Sequence, residues 1–104
     1  MKIIWSDEAT AELWEILMMV AEYAGLASSE RYQSEFERLV ALAADNPRMG
    51  SIGIIPKTRE LYPINGKYRI VYEITGDVLH VLTVKSSKRL HTAQTPVHRL
   101  EKND

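Results

Sequence analysis

Tyr68-Arg69-Ile70-Val71-Tyr72-Glu73-Ile74-Thr75, then Gly76-Asp77, then Val78-Leu79-His80-Val81-Leu82-Thr83-Val84-Lys85 is the stretch on which the fold turns. Its pattern predicts strands over 67–75 and 78–85, joined by a hairpin turn at Thr75-Gly76-Asp77 with glycine where the turn needs it. Along the first strand Tyr68, Ile70, Tyr72 and Ile74 point one way, and Arg69, Val71 and Glu73 the other. Arg69 is out of place in a strand that only has to pack, because a permanent cation is rarely put among β-branched and aromatic neighbours. The run Lys85-Ser86-Ser87-Lys88-Arg89 ends the second strand with a further cationic cluster, so the two strands present their charges together.

Upstream, Lys2-Ile3-Ile4-Trp5 reads as a short first strand. Ser6 is placed to cap a following helix, with Asp7 and Glu8 facing the positive end of its dipole. Leu13, Ile16, Leu17, Val20 and Ala24 recur at helical spacing as a core stripe, with Glu8, Glu12, Glu15 and Glu22 assigned to the opposite side. Gly25 is a natural stop. Ser28 or Ser29 then starts a second helix that buries Tyr32, Phe36, Leu39, Val40 and Ala43, and Asn46-Pro47 ends it. The short connection makes the pair an antiparallel helical hairpin. A loop with Pro47, Gly50 and Gly53 leads to a short strand near Arg59-Glu60-Leu61-Tyr62, and Pro63 to Gly66 form a turn. The expected fold is α+β: an N-terminal strand, a helical hairpin, then three antiparallel strands forming a twisted sheet.

At 104 residues, 45% hydrophobic and 26% charged, the chain fits one globular domain with a single core. It has no cysteine, which excludes a disulfide framework and thiolate chemistry. No apolar run approaches a membrane span, and the acids at Asp7 and Glu8 leave no signal-peptide core, so the expectation is a cytoplasmic protein without a membrane partner. The charge is asymmetric. Residues 1–55 carry four Lys/Arg against nine Asp/Glu, whereas 56–91 carry seven against three, giving an acidic helical front and a basic, strand-rich back. The histidines are dispersed, no metal-ligand spacing occurs, Gly50-Ser51-Ile52-Gly53 matches no phosphate loop, and Ser86-Ser87 has no triad around it, so no metal and no cofactor is expected.

The element order, with Arg59-Glu60-Leu61, Tyr68-Arg69-Ile70-Val71-Tyr72, Gly76-Asp77 and the run from Val84 to Arg89, resembles the RelE/ParE superfamily of type II toxin–antitoxin toxins, on the ParE-like side more than the RelE-like. Trp5-Ser6-Asp7-Glu8-Ala9 and Asn46-Pro47-Arg48-Met49-Gly50 also look like that family. The resemblance implies one toxin domain over 1–91 and a C-terminal tail over 92–104. It also implies a plasmid-stabilisation-like module in which a cognate antitoxin neutralises the toxin, its extended segment wrapping the helices and sheet.

Two activities occur in the superfamily. RelE-like members cleave mRNA on the ribosome, which requires a base, an acid and cations around the phosphorane. By position that role falls here to Arg69 and Arg89, with His91 the titratable group of suitable pKa beside the cluster. ParE-like members inhibit DNA gyrase, which requires a binding surface and no acid/base set. A sequence pI near 6.3 is poor for binding rRNA and mRNA and favours the gyrase reading. A third possibility is a silent module that only pairs with its antitoxin. In either active case Lys57, Arg59, Lys85 and Lys88 supply positive potential toward the target. On the first helix Trp14 and Met18 flank the core face and Met19 falls among the glutamates, so these three are the expected antitoxin-docking residues.

Overall fold

The computed structural model describes residues 1–88, 95–97 and 99. Its centre is the expected hairpin: β4 (Tyr68–Thr75) and β5 (Val78–Ser86) pair antiparallel from Tyr68↔Ser86 to Thr75↔Val78. Gly76 turns the corner at φ 60°, a left-handed conformation that glycine adopts without a steric penalty. The ladder slips once. Val71 faces Thr83 but Tyr72 faces Val81, so Leu82 is the extra residue of a bulge. The slip keeps the core continuous. Val84 meets Ile70 before it, Val81 and Leu79 meet Tyr72 and Ile74 after it, and an unbroken register would have turned one of those sets away from the helices.

Ahead of the hairpin come β1 (Lys2–Trp5), α1 (Asp7–Ala24), α2 (Leu26–Asp45), β2 (Ser51–Ile52) and β3 (Arg59–Leu61). The strand order is β1-β5-β4-β3-β2. The three antiparallel strands expected from the sequence are β3, β4 and β5, and β1 and β2 extend them into a mixed five-stranded sheet. β1 lies parallel to β5, from Lys2↔Val78 to Trp5↔Val81. A parallel pair needs a long crossover, and here nearly the whole chain provides it, so no local pattern announces the pairing. β2 is two residues long, too short to show alternation, and sits inside the stretch read as a loop.

Ser6 joins the layers. Its amide continues the β1 ladder to the Val81 carbonyl at 2.9 Å, its Oγ accepts from the Ala9 amide at 3.0 Å as the expected helix cap, and the same hydroxyl donates to the Leu82 carbonyl at 2.8 Å. The core between helices and sheet holds Ala9, Phe36, Val40, Ala43, Ile70, Tyr72, Leu79, Val81 and Val84. Tyr68 packs its ring against Phe36 and edge-on to Tyr32, at centroid distances of 5.7 and 6.2 Å.

Three helical assignments change. α2 begins at Leu26, straight after Gly25 at φ 91°, not at Ser28 or Ser29. Ser29 instead lies inside the helix and donates to the Leu17 carbonyl of α1 at 2.8 Å, stitching the two helices together. Ala24 is exposed and leaves the core stripe. Glu12 is not on the solvent side with Glu15 and Glu22: it reaches β5, accepting from the Val84 amide at 2.9 Å and the Thr83 hydroxyl at 2.7 Å. Among the described residues no helix is long and apolar enough to cross a membrane.

Candidate target-binding surface

Arg69 and Lys85 are directly opposed across β4 and β5, a pairing set by the bulge at Leu82, and so share a face of the sheet. Neither is a free cation. Arg69 is only 5% exposed and bonds to the hydroxyl of Tyr62. Lys85 forms an ion pair with Glu12. Buried Glu60 completes the cluster, taking a hydrogen bond from the Tyr62 hydroxyl and a second, at 3.4 Å, from the Ile54 amide. The Tyr62 pKa is raised above the ordinary tyrosine value, chiefly by that bond to the Glu60 carboxylate, then by burial and by the Glu60 charge, while Arg69 opposes the rise. A strand arginine is legible in sequence; its partner Tyr62, one residue past the end of β3, is not, because the two become neighbours only when β3 pairs with β4.

The other expected cations are dispersed. Arg59 is opposite Tyr72 and spends its guanidinium on the backbone of the preceding loop, donating to the Gly50 carbonyl at 2.7 Å and the Arg48 carbonyl at 3.2 Å. Tyr72 ties down the same loop. Its hydroxyl donates to the Pro47 carbonyl at 2.7 Å and accepts from the Gly50 amide at 3.1 Å. Burial raises the Tyr72 pKa, against smaller lowering effects from Gly50 and Arg59. Lys57 is exposed at φ 68° and borders a cleft of about 850 Å³ with Glu73, His80, Thr95 and Arg99. Arg99, from the expected tail, holds Glu73 at 3.0 Å and the Pro56 carbonyl at 3.0 Å. Lys88 is exposed at the far end of the hairpin, in a second cleft with Met19, Lys67, Tyr68, Ser86 and Ser87. Arg89 and His91 lie outside the described residues, so the geometry carries no statement about the acid/base pair expected there. Among the described residues no group of three or more His, Asp or Glu is arranged to hold a metal.

Trp14, Met18 and Met19 are all exposed on α1, where they were expected, and Tyr23 and Leu26 extend that apolar surface. Tyr23 follows Met19 by one helical turn, a spacing that could have found it. Trp14 also lines a groove with Trp5, Leu13, Leu17 and Gln33, between the two helices.

Comparison with known proteins agrees with this architecture. The structure superposes on a chain of "Chromosomal ParDE TA system from P. aeruginosa" with a TM-score of 0.73 at 17% identity, covering 83% of this chain and 95% of that one. It is also similar to the intact E. coli RelBE toxin-antitoxin complex, with a TM-score of 0.57 at 16% identity over 85% of this chain and 98% of that one. The isolated E. coli RelE toxin gives a TM-score of 0.57 at 16% identity over 86% of each chain. At such identities these likenesses establish the fold. No curated protein matches the sequence. The sequence profile of "ParE toxin of type II toxin-antitoxin system, parDE" matches residues 3–91. With most of its length matched by that profile, on a fold shared with ParDE and RelBE systems, the chain belongs to the ParE toxin family of type II toxin–antitoxin systems.

Proposed function

We propose that this ParE-type toxin acts in the cytoplasm by inhibiting DNA gyrase, and that a cognate antitoxin silences it by direct binding. The observation that supports gyrase over a nucleic acid substrate is the state of Arg69. A phosphate-stabilising arginine has to meet the scissile phosphate, yet this one is nearly buried and bonded to Tyr62 beside Glu60. Lys85 is likewise paired with Glu12, so both central cations spend their charge inside the protein. A protein target asks for shape and apolar contact instead. The exposed α1 surface around Trp14, Met18 and Met19, beside the groove between the helices, supports docking of an antitoxin segment that orders on binding.

The test is a pulse of expression without antitoxin, with chromosomal DNA integrity and mRNA 5′ ends assayed in the same cells, and purified toxin added to a gyrase supercoiling reaction. Broken DNA, uncut messages and loss of supercoiling are expected. Codon-phased mRNA cuts with intact DNA would overturn the reading in favour of a ribosome-dependent endonuclease. Normal growth would leave a silent antitoxin-binding module.

A further inference from the structure

The groove between the helices has room for one long side chain. Leu13, Trp14 and Leu17 of α1 line it together with Gln33 and Glu37, one turn apart on α2, and Trp5 of β1. Leu17 is buried and Trp5 and Leu13 partly so, whereas Trp14 is 61% exposed and Glu37 is open to solvent. The groove holds about 290 Å³. Small-molecule sites begin at roughly 300 Å³, so the space suits a single side chain of a docked chain better than a free ligand. Glu37 is the one charged residue in the lining. Gln33 holds it in place, donating from Nε2 to Glu37 Oε1 at 3.0 Å, and that amide brings no positive charge.

The elements around the groove leave that carboxylate uncompensated. The ion pairs among the described residues are Lys85 with Glu12 and Arg99 with Glu73, and Glu37 is in neither. α1 carries Asp7, Glu8, Glu12, Glu15 and Glu22 and no Lys or Arg. On α2, Glu30 stands one turn before Gln33 and adds to the acid, while Asp45 ends the helix. Arg31 donates to the Ser28 hydroxyl at 2.9 Å, and Glu35 accepts from the Ile64 amide. Arg38 leaves the helix about 100° around from Glu37. In β1, Lys2 is three positions from Trp5 and so alternates onto the opposite face. The groove therefore combines an exposed indole, an apolar floor and one unpaired carboxylate. That set suits a guanidinium, whose stem lies on apolar surface, whose plane stacks on an aromatic ring and whose fork matches a carboxylate.

We infer that Glu37, positioned by Gln33 and flanked by Trp14, receives an arginine of the antitoxin's docking segment, and that this groove is where the toxin selects its own antitoxin. The inference deepens the antitoxin reading above and rests on it. A lysine would bring the charge without the planar fork. The acidic surroundings repel a phosphate backbone, so a nucleic acid is not the occupant.

The experiment measures binding of the full chain and its variants to the antitoxin encoded by the adjoining gene, by calorimetry at low and high salt, with a melting curve of each variant. Glu37→Gln melts as wild type and binds about tenfold more weakly at low salt. The loss shrinks at high salt, where the pair is screened. Trp14→Ser, at an exposed position, also keeps the fold and weakens binding, so it carries the test if Glu37→Gln melts early. Each arginine and lysine of the antitoxin is then changed to alanine. One arginine is expected whose loss weakens binding to wild type but costs nothing further against Glu37→Gln, the mark of a direct pair. Unchanged affinity in a folded Glu37→Gln or Trp14→Ser variant overturns the inference while leaving the antitoxin reading intact. Additive losses at every antitoxin arginine, or coupling to a lysine instead, also overturn it. A wild-type chain that does not bind this antitoxin removes the antitoxin reading, and the inference with it.

Discussion

The carboxylate of Glu12 and the amide of Val84, 72 positions apart in sequence, meet at 2.9 Å along the edge of β5 that β1 is too short to cover. β1 accompanies β5 only as far as Val81, and Ser6 serves the Val81 and Leu82 carbonyls. Glu12 then takes the next donors, the Val84 amide and Thr83 hydroxyl, so two side chains stand in for the missing part of a strand. Glu12→Leu strands both donors and leaves Lys85 without its partner; the expected loss is about 1–3 kcal/mol, from the unsatisfied donors. Glu12→Gln, which keeps an acceptor oxygen, should lose less. Urea denaturation of the three proteins checks the order.

Ser6 both accepts and donates, and the two roles separate by mutation. Ser6→Ala removes the helix cap and the donor to Leu82, an expected loss of about 1–2 kcal/mol. Ser6→Asp restores a good cap acceptor but has no proton to give the Leu82 carbonyl. Were Ser6 only a cap, aspartate would match serine; here it should stay measurably less stable by the same denaturation.

The Tyr62 cluster predicts opposite pKa changes from its two charged members. Glu60→Gln removes the strongest cause of the raised value, so Tyr62 ionises closer to the ordinary tyrosine range. Arg69→Ala removes the opposing cation, so it ionises higher still. NMR titration of labelled tyrosine rings reads both. Equal behaviour of the two variants would mean that Glu60, Tyr62 and Arg69 do not act as a unit.

Tyr72 gives the protein an alkaline limit. Its neutral hydroxyl donates to Pro47, and burial lifts its folded pKa above the ordinary value of 10.0. A raised folded pKa means a contribution that is complete below the unfolded value and is lost as pH rises through the folded one. Thermal melts from neutral pH upward should therefore hold steady until about pH 10 and then fall. Tyr72→Phe should be less stable at neutral pH by about 1–3 kcal/mol, because the Pro47 carbonyl and Gly50 amide lose their partner. The part of the alkaline fall that belongs to Tyr72 should also disappear.

The sequence by itself determined the elements whose cause is local. Ser6 with Asp7 and Glu8 specifies a helix start wherever the helix packs. The alternation of Tyr68, Ile70, Tyr72 and Ile74, with Gly76 at the turn, specifies the β4–β5 hairpin and its buried face. The strand position of Arg69 and the apolar excess of Trp14, Met18 and Met19 were also legible, because strand and helix periods alone place them, whereas the bulge at Leu82 is what sets Lys85 opposite Arg69.

Only the tertiary structure decided what those side chains are able to do. Parallel pairing of β1 with β5 is a contact across most of the chain, and no neighbouring residues encode it. The same holds for Glu12, which joins a helix pattern as one more surface glutamate until the edge of β5 arrives beside it. Arg69 reads in sequence as a cation offered to a partner, but the pairing of β3 with β4 brings Tyr62, itself bonded to Glu60, against it and turns its charge inward. Periodicity assigns a side chain to a face, whereas its electrostatic and apolar partners are set by which elements the completed sheet brings within hydrogen-bonding distance.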